Sequence, residues 1–67
     1  MSVAKNIEIT SASSKNFEDA IQSGLDRAAS TTDNIERAWI KEMYVDTKDG
    51  KVNEYRVNMK VTFMLNE

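Results

Sequence analysis

The side chains of this sequence best suited to binding a small molecule are Trp39, Arg37 and Arg56. The ring of Trp39 offers a broad face on which a flat ligand can stack, and the two arginines could clamp a phosphate or carboxylate if they are neighbours on one face. Each feature also has a structural explanation. The tryptophan could pack at a subunit contact, and the arginines could form ion pairs between subunits, with Glu36, Glu42 or Glu54 as partners.

Metal ligands are available in the sequence, whereas the usual catalytic groups are not. Asp33, Asp46, Asp49 and Glu54 could give oxygen ligands to calcium across subunits, but they lack EF-hand spacing and could equally be solvated turn carboxylates. The sequence has no histidine and no cysteine, which removes the usual zinc ligands, disulfides and the commonest general base. No nucleophile and base stand together. We therefore expect a binding protein and not an enzyme.

Length and charge narrow the class of protein further. A chain of 67 residues forms one domain, residues 1–67, and buries only roughly 60% of its unfolded surface, so a single core is marginal. Acids and bases are interspersed with a net charge of -2, which is untypical of nucleic-acid binding. The amino end lacks an apolar run that could form a signal peptide or membrane span. We expect a cytoplasmic protein with neither nucleic acid nor membrane as a partner.

The hydrophobic pattern predicts the order strand, helix, strand, strand. The first strand is expected at residues 3–10, and a helix at residues 17–30 begins after Asn16 as its N-cap. The second and third strands are expected at residues 35–46 and 55–65, joined by a turn at 48–50 in which Gly50 can adopt the left-handed conformation. The sequence therefore predicts an α+β fold, in which one helix packs across a three-stranded antiparallel sheet.

The last predicted strand is the most regular element of the sequence. Its apolar side chains alternate with polar ones and share one face: Tyr55, Val57, Met59, Val61, Phe63 and Leu65. This strand is about 36 Å long, whereas the helix is only about 21 Å long. One helix cannot cover both long strands of the hairpin, and the uncovered surface predicts self-association.

Two pairings of the hairpin are open, and they place the tryptophan on opposite faces. A three-residue loop between Thr47 and Lys51 turns toward the helix Arg37, Trp39 and Lys41. If a four-residue loop joins Asp46 to Lys51, the side chains that face the helix are instead those of Ala38, Ile40, Glu42 and Tyr44. We prefer the second pairing, because burying one unpaired charge costs less than burying two.

Several segments, in order and spacing, carry a resemblance over nearly the whole chain: residues 5–10 with the serine-rich turn after them, 17–21, 27–29, 40–42 and 57–63. In these segments the sequence resembles the dodecins, small strand-helix-strand-strand proteins that assemble into hollow homododecamers. The resemblance implies that the helix lies on the outside of a shell. It also implies that the opposite face of the sheet takes part in subunit contacts and ligand binding.

The resemblance further implies a binding and storage function, with a flavin (riboflavin, FMN or FAD) as the ligand. Flavin-binding dodecins stack a tryptophan on the flavin near the start of the second strand and hold the ring edge through a glutamine on the third. An ungapped alignment on residues 40–42 puts Arg37 at the stacking position, Arg56 at the glutamine position and Tyr44 where the family often has an arginine. Trp39 lies on the same strand face as the usual stacking position, roughly 6.6 Å away, and could serve from there.

The candidate ligand-binding residues are therefore Arg37, Trp39, Tyr44 and Arg56. Some dodecin-like proteins lack the stacking tryptophan and are associated with calcium, and this chain is similar to them at residues 33–35 and at Arg56. The alternative function is a flavin-free shell that is purely structural or binds calcium.

Overall fold

The computed structural model describes residues 2–65, which form one sheet and one helix. Strand β1 spans Ala4–Ser13, helix α1 Phe17–Ala29, strand β2 Ile35–Lys48 and strand β3 Lys51–Met64. The sheet is antiparallel in the order β1-β3-β2. The predicted α+β class and element order are confirmed, although all three strands extend beyond the predicted bounds at one end. Within residues 2–65, no helix has the length and apolar character needed to cross a membrane.

Helix α1 begins where the sequence predicts, because its first turn is capped by side chains. The Oδ1 atom of Asn16 accepts a hydrogen bond from the backbone N–H of Asp19 at 2.7 Å, which satisfies one of the free donors of the first turn. The Asp19 carboxylate in turn accepts a hydrogen bond of 2.6 Å from the hydroxyl of Ser13. This contact ties the start of the helix to the end of β1.

The core lies between α1 and the middle of β3. Its fully buried side chains are Ala20, Val57, Met59 and Val61. Gly24 permits the close approach of the helix, because a Cβ atom there would lie 2.6 Å from Met59 Cε and 2.9 Å from Ser11 Cβ. The helix does not cover β2: Met43 and Val45, which pair with residues on the helix side of β3, remain 49% and 38% exposed. The prediction that apolar surface is left uncovered is confirmed.

The hairpin between β2 and β3 has a two-residue loop, so both predicted pairings are wrong. Lys48 pairs with Lys51, and the loop residues Asp49 and Gly50 have φ angles of 53° and 77°. Positive φ at both central positions is typical of the type I′ turn, whose twist matches that of the strands it joins. Register shifts then follow at three places, and they leave Glu36, Lys41 and Asn53 as the extra residues of β-bulges.

The bulge at Lys41 reverses the faces of β2. Before it, Ala38 and Ile40 pack toward the core, as the preferred pairing predicts. After it, Glu42 and Tyr44 pair with Asn58 and Arg56, so both lie on the face opposite the helix. The prediction that they face the helix is therefore wrong, because one extra residue in a strand shifts every later side chain to the other face. We call the sheet face opposite the helix the outer face, because it is the face that the helix leaves open within one subunit; the name does not refer to the outside of a shell.

Candidate functional site

All four predicted ligand-binding residues lie on the outer face, but they form two separate groups. Trp39 pairs with Lys60, and Tyr44 pairs with Arg56. Lys60 and Arg56 are both on β3, and their spacing of four residues corresponds to about 13 Å along the strand. The outer face therefore has a tryptophan end, formed by Arg37, Trp39 and Lys60. It also has an arginine end, formed by Tyr44, Asp46, Glu54 and Arg56.

The two arginines are too far apart to act together within one subunit. Arg37 pairs with Thr62, which is six residues from Arg56 along β3, or about 20 Å. A bidentate clamp on one phosphate requires both guanidinium groups within hydrogen-bond distance of the same group. The condition for an Arg37–Arg56 clamp, that the two side chains are neighbours on one face, is therefore not met within a single subunit.

At the tryptophan end, an exposed aromatic ring lies beside two cations that form no salt bridge within residues 2–65. Trp39 is 60% exposed, and Lys60 Nζ lies 4.8 Å from the centroid of its ring, within the range of a cation–π contact. Among residues 2–65, neither Lys60 nor Arg37 has a salt-bridge partner within 4 Å. This end can stack a flat ring and attract negative charge.

Between the two ends, polar side chains bind each other across all three strands. Lys41 Nζ lies 2.8 Å from Glu8 Oε1, and this hydrogen bond lowers the pKa of the Glu8 carboxyl and raises the pKa of the Lys41 amine. Asn58 accepts a hydrogen bond from Thr10 at 2.9 Å and donates one to Glu42 at 3.0 Å. A cavity of about 180 Å³ lies here, lined by Glu8, Ile9, Thr10, Lys41, Glu42, Asn58 and Met59. Most of its polar walls are already paired.

At the arginine end, the cation is enclosed by carboxylates of its own subunit. Arg56 Nε donates a hydrogen bond to Asp46 Oδ2, and an Nη atom donates to Glu54 Oε1 at 3.4 Å. The hydrogen bond to Asp46, with the negative charge of both carboxylates, raises the pKa of Arg56. One guanidinium charge faces two carboxylate charges, so this end carries no surplus positive charge.

The four candidate calcium ligands do not all come together within the subunit, although Asp46 and Glu54 are partners across the hairpin. Asp46 and Glu54 are bound to Arg56, Asp49 lies in the hairpin turn, and Asp33 lies at the other end of β2. Across the described part of the chain, no three histidine, cysteine or acidic side chains are grouped so that they could hold a metal ion.

One site residue, Lys60, escaped prediction from the sequence. Its position on the polar face of β3 is evident from the alternation of that strand, but its partner across the hairpin depends on the register. Only the bulge at Lys41 brings Trp39 opposite Lys60 while Tyr44 is opposite Arg56. The signal that could have found it is the Asp49-Gly50 pair, which is typical of a two-residue loop, the commonest hairpin connection. That loop pairs Lys48 with Lys51, as the structure does.

Comparison with known proteins places this fold in a family. The sequence profile of the dodecin family matches residues 3–66, so the chain belongs to the dodecin family. The chain is similar over its whole length to the structure of an arginine-to-alanine mutant of the Thermus thermophilus dodecin, with 33% identity, a TM-score of 0.94 and full coverage of both chains. A comparison with curated protein sequences gives no match.

Two dodecins from Streptomyces have the same fold. The dodecin from Streptomyces davaonensis is 29% identical, with a TM-score of 0.92 and coverage of 98% of this chain and 97% of that one. The dodecin from Streptomyces coelicolor has the same TM-score at 21% identity, with 98% and 94% coverage, and at that identity the likeness concerns the fold alone.

Proposed function

We propose that this protein is a homododecameric shell that binds and stores a small flat ligand, and that the ligand is a flavin. Membership of the dodecin family supports the assembly and the class of ligand. The observation that carries the proposal is the exposed ring of Trp39 on the outer face, with Arg37 and Lys60 beside it. Binding without catalysis is part of the proposal.

The residues of the tryptophan end fit a flavin, whereas those of the arginine end do not. An isoalloxazine ring is flat and can stack on an indole, and the cations beside Trp39 suit a flavin phosphate. The position that the resemblance assigns to a glutamine is occupied by Arg56. A glutamine amide both donates and accepts hydrogen bonds, whereas a guanidinium only donates, and here its donors bind Asp46 and Glu54. The flavin therefore binds at the tryptophan end.

The assembly is supported by the apolar surface that α1 leaves uncovered. Met43 and Val45 lie side by side in alternation on β2, on the face of the sheet that holds the core, and both are exposed in one subunit. Another copy of the chain would remove this surface from water, and burial of apolar surface is the main favourable term in protein association.

The second candidate is a flavin-free shell, and the ion pairs of Arg56 are the observation in its favour. With Arg37 and Tyr44 also replacing the expected residues, no side chain at the usual flavin contacts is left to recognise the ring. A calcium-binding version of this shell requires carboxylates from several copies, because one subunit groups too few within residues 2–65. Calorimetry with calcium chloride, together with thermal unfolding in EDTA, separates a metal-bound shell from a purely structural one.

The experiment that tests the proposed function combines light scattering with fluorescence. We expect a scattering mass of twelve subunits, and we expect FMN added to the purified protein to quench the emission of both the flavin and Trp39. The Trp39→Leu variant should assemble normally and bind FMN at least about fivefold more weakly, since stacking on one aromatic side chain contributes on the order of 1–3 kcal/mol. The matched control, Tyr44→Leu, removes the aromatic of the arginine end and should leave FMN affinity unchanged. A stable monomer, or no quenching by FMN, contradicts the proposal.

A further inference from the structure

We infer that Lys60 makes the tryptophan end selective for flat ligands that carry a negative charge, so that a flavin phosphate binds in preference to an uncharged flavin. This inference rests on the proposed function and names the class of ligand that the site takes. It assigns a role in specificity to a residue outside the positions that the family resemblance points to.

The first step is the position of the Lys60 ammonium. It lies 4.8 Å from the centroid of the Trp39 ring, and the two residues are direct partners across β2 and β3. Opposed residues of a sheet stay within side-chain contact because the backbone ladder fixes their separation. A ring that stacks on Trp39 must therefore bind next to this ammonium or displace it from the indole.

The second step is that Lys60 forms no salt bridge within residues 2–65. Glu8 is its partner on β1, but the hydrogen bond of the Glu8 carboxylate goes to Lys41 at 2.8 Å. That hydrogen bond is the largest cause of the lowered pKa of Glu8, to which the charge of Lys60 contributes a smaller part. In the described part of the chain Arg37 likewise has no salt bridge, and it lies two residues before Trp39 on the same face of β2. The Glu36 side chain, in the adjacent bulge, forms no salt bridge with either cation. The surplus charge at this end is positive.

The third step is what each ligand does to the cation–π contact. An uncharged ring that displaces the Lys60 ammonium removes its existing attraction to the indole. It offers the ammonium no negative charge to bind in place of that contact. A ligand with a phosphate replaces that contact with a charge-assisted hydrogen bond, which is stronger than a neutral one. The sign of the preference follows: the anionic ligand gains from Lys60, whereas the uncharged one competes with it.

The experiment compares riboflavin with FMN, which have the same ring and differ in the phosphate. Dissociation constants are measured by flavin fluorescence for the unmodified protein and for the Lys60→Met, Lys60→Arg and Arg56→Met variants, each checked for assembly by light scattering. We expect FMN to bind about threefold to fivefold more tightly than riboflavin, the range of an exposed charge pair. Added salt should reduce this ratio through screening.

Lys60→Met should bring the ratio of riboflavin to FMN dissociation constants close to one by weakening FMN binding alone. Lys60→Arg should retain the preference for FMN. Arg56→Met, the control at the arginine end, should leave the preference unchanged. Equal affinities in the unmodified protein, or an undiminished preference in Lys60→Met, overturn the inference while leaving the proposed function intact. If neither flavin binds the unmodified protein, the proposed function and this inference both fail.

Discussion

The two ends of the outer face have the same parts and different electrostatics. Each has an aromatic side chain on β2 opposite a cation on β3: Trp39 with Lys60, and Tyr44 with Arg56. At the arginine end, Asp46 and Glu54 bind the cation. At the tryptophan end, the carboxylate in register, Glu8, binds Lys41 instead. The difference shows that two cations in equivalent cross-strand positions differ in charge neutralisation, because the neighbouring carboxylates bind one of them and not the other.

The largest expected effect concerns the scaffold that both ends share. In Gly24→Ala, the new Cβ would lie 2.6 Å from Met59 Cε, which can move, and 2.9 Å from Ser11 Cβ, which cannot move without the strand. Overpacking of this kind costs about 1–3 kcal/mol. The higher helix propensity of alanine than of glycine offsets up to about 1 kcal/mol of this loss. We expect the free energy of unfolding, measured in urea, to fall by about 1–2 kcal/mol.

The control for this variant is Ser23→Ala, at an exposed helix position, which should change stability by less than about 0.5 kcal/mol. Because Gly24 contacts neither end of the outer face, the ratio of FMN to riboflavin affinity should stay the same in Gly24→Ala. A changed ratio would show that the preference depends on the packing of the core and not on the surface charges.

A smaller loss of stability is expected from Arg56→Met. This change leaves Asp46 and Glu54 side by side across the hairpin without the cation between them, and like charges directly opposite destabilise a sheet. The thermal midpoint should fall, and the loss should shrink in high salt because screening weakens the repulsion. Adding Asp46→Asn and Glu54→Gln to the variant should restore most of the midpoint. A midpoint identical to that of the unmodified protein would contradict the role given to these ion pairs.

The smallest expected effect concerns the Glu8–Lys41 pair between the two ends. The pKa of Glu8 is lowered from 4.5 by its hydrogen bond to Lys41. The carboxylate therefore contributes stability above its unfolded pKa, and this contribution is lost as the pH falls through the lower folded pKa. In Glu8→Gln this part of the acid dependence should disappear from thermal unfolding measured between pH 3 and 6, a range set by the usual carboxyl pKa of about 4.

The same variant also tests the comparison between the two ends. With Glu8 uncharged, Lys41 is no longer neutralised beside Lys60, and the preference for FMN over riboflavin should rise slightly. An unchanged or lower preference in Glu8→Gln would contradict a contribution of Lys41 to the positive charge near the tryptophan end.

The fold was predictable because local signals agree with one another. The alternation from Tyr55 to Phe63 defines the buried face of β3, and Asn16 with the acidic first turn defines the start of α1. Even the exposed apolar surface on β2 followed from the lengths of the elements. These features depend on periods of 2 and 3.6 residues, which a single sequence displays directly.

The candidate site was only partly predictable, because it depends on bulges. A bulge adds one residue to one strand, and nothing in the composition of β2 marks Lys41 as that residue. Its effect is nevertheless large: Tyr44 and Glu42 change faces, and Lys60 becomes the partner of Trp39. The separation of Arg37 from Arg56 depends on the register in the same way, since distances along the outer face follow from the pairing of the strands and not from residue type.

A crystal structure of the protein soaked with FMN tests the central claim most directly, because it locates the ligand on one end or the other. We predict an isoalloxazine ring stacked on Trp39 with its phosphate within hydrogen-bond distance of Lys60, while Arg56 keeps its bonds to Asp46 and Glu54. A flavin bound against Tyr44 and Arg56, or a Trp39 ring sealed in a subunit contact with no flavin beside it, would contradict the account.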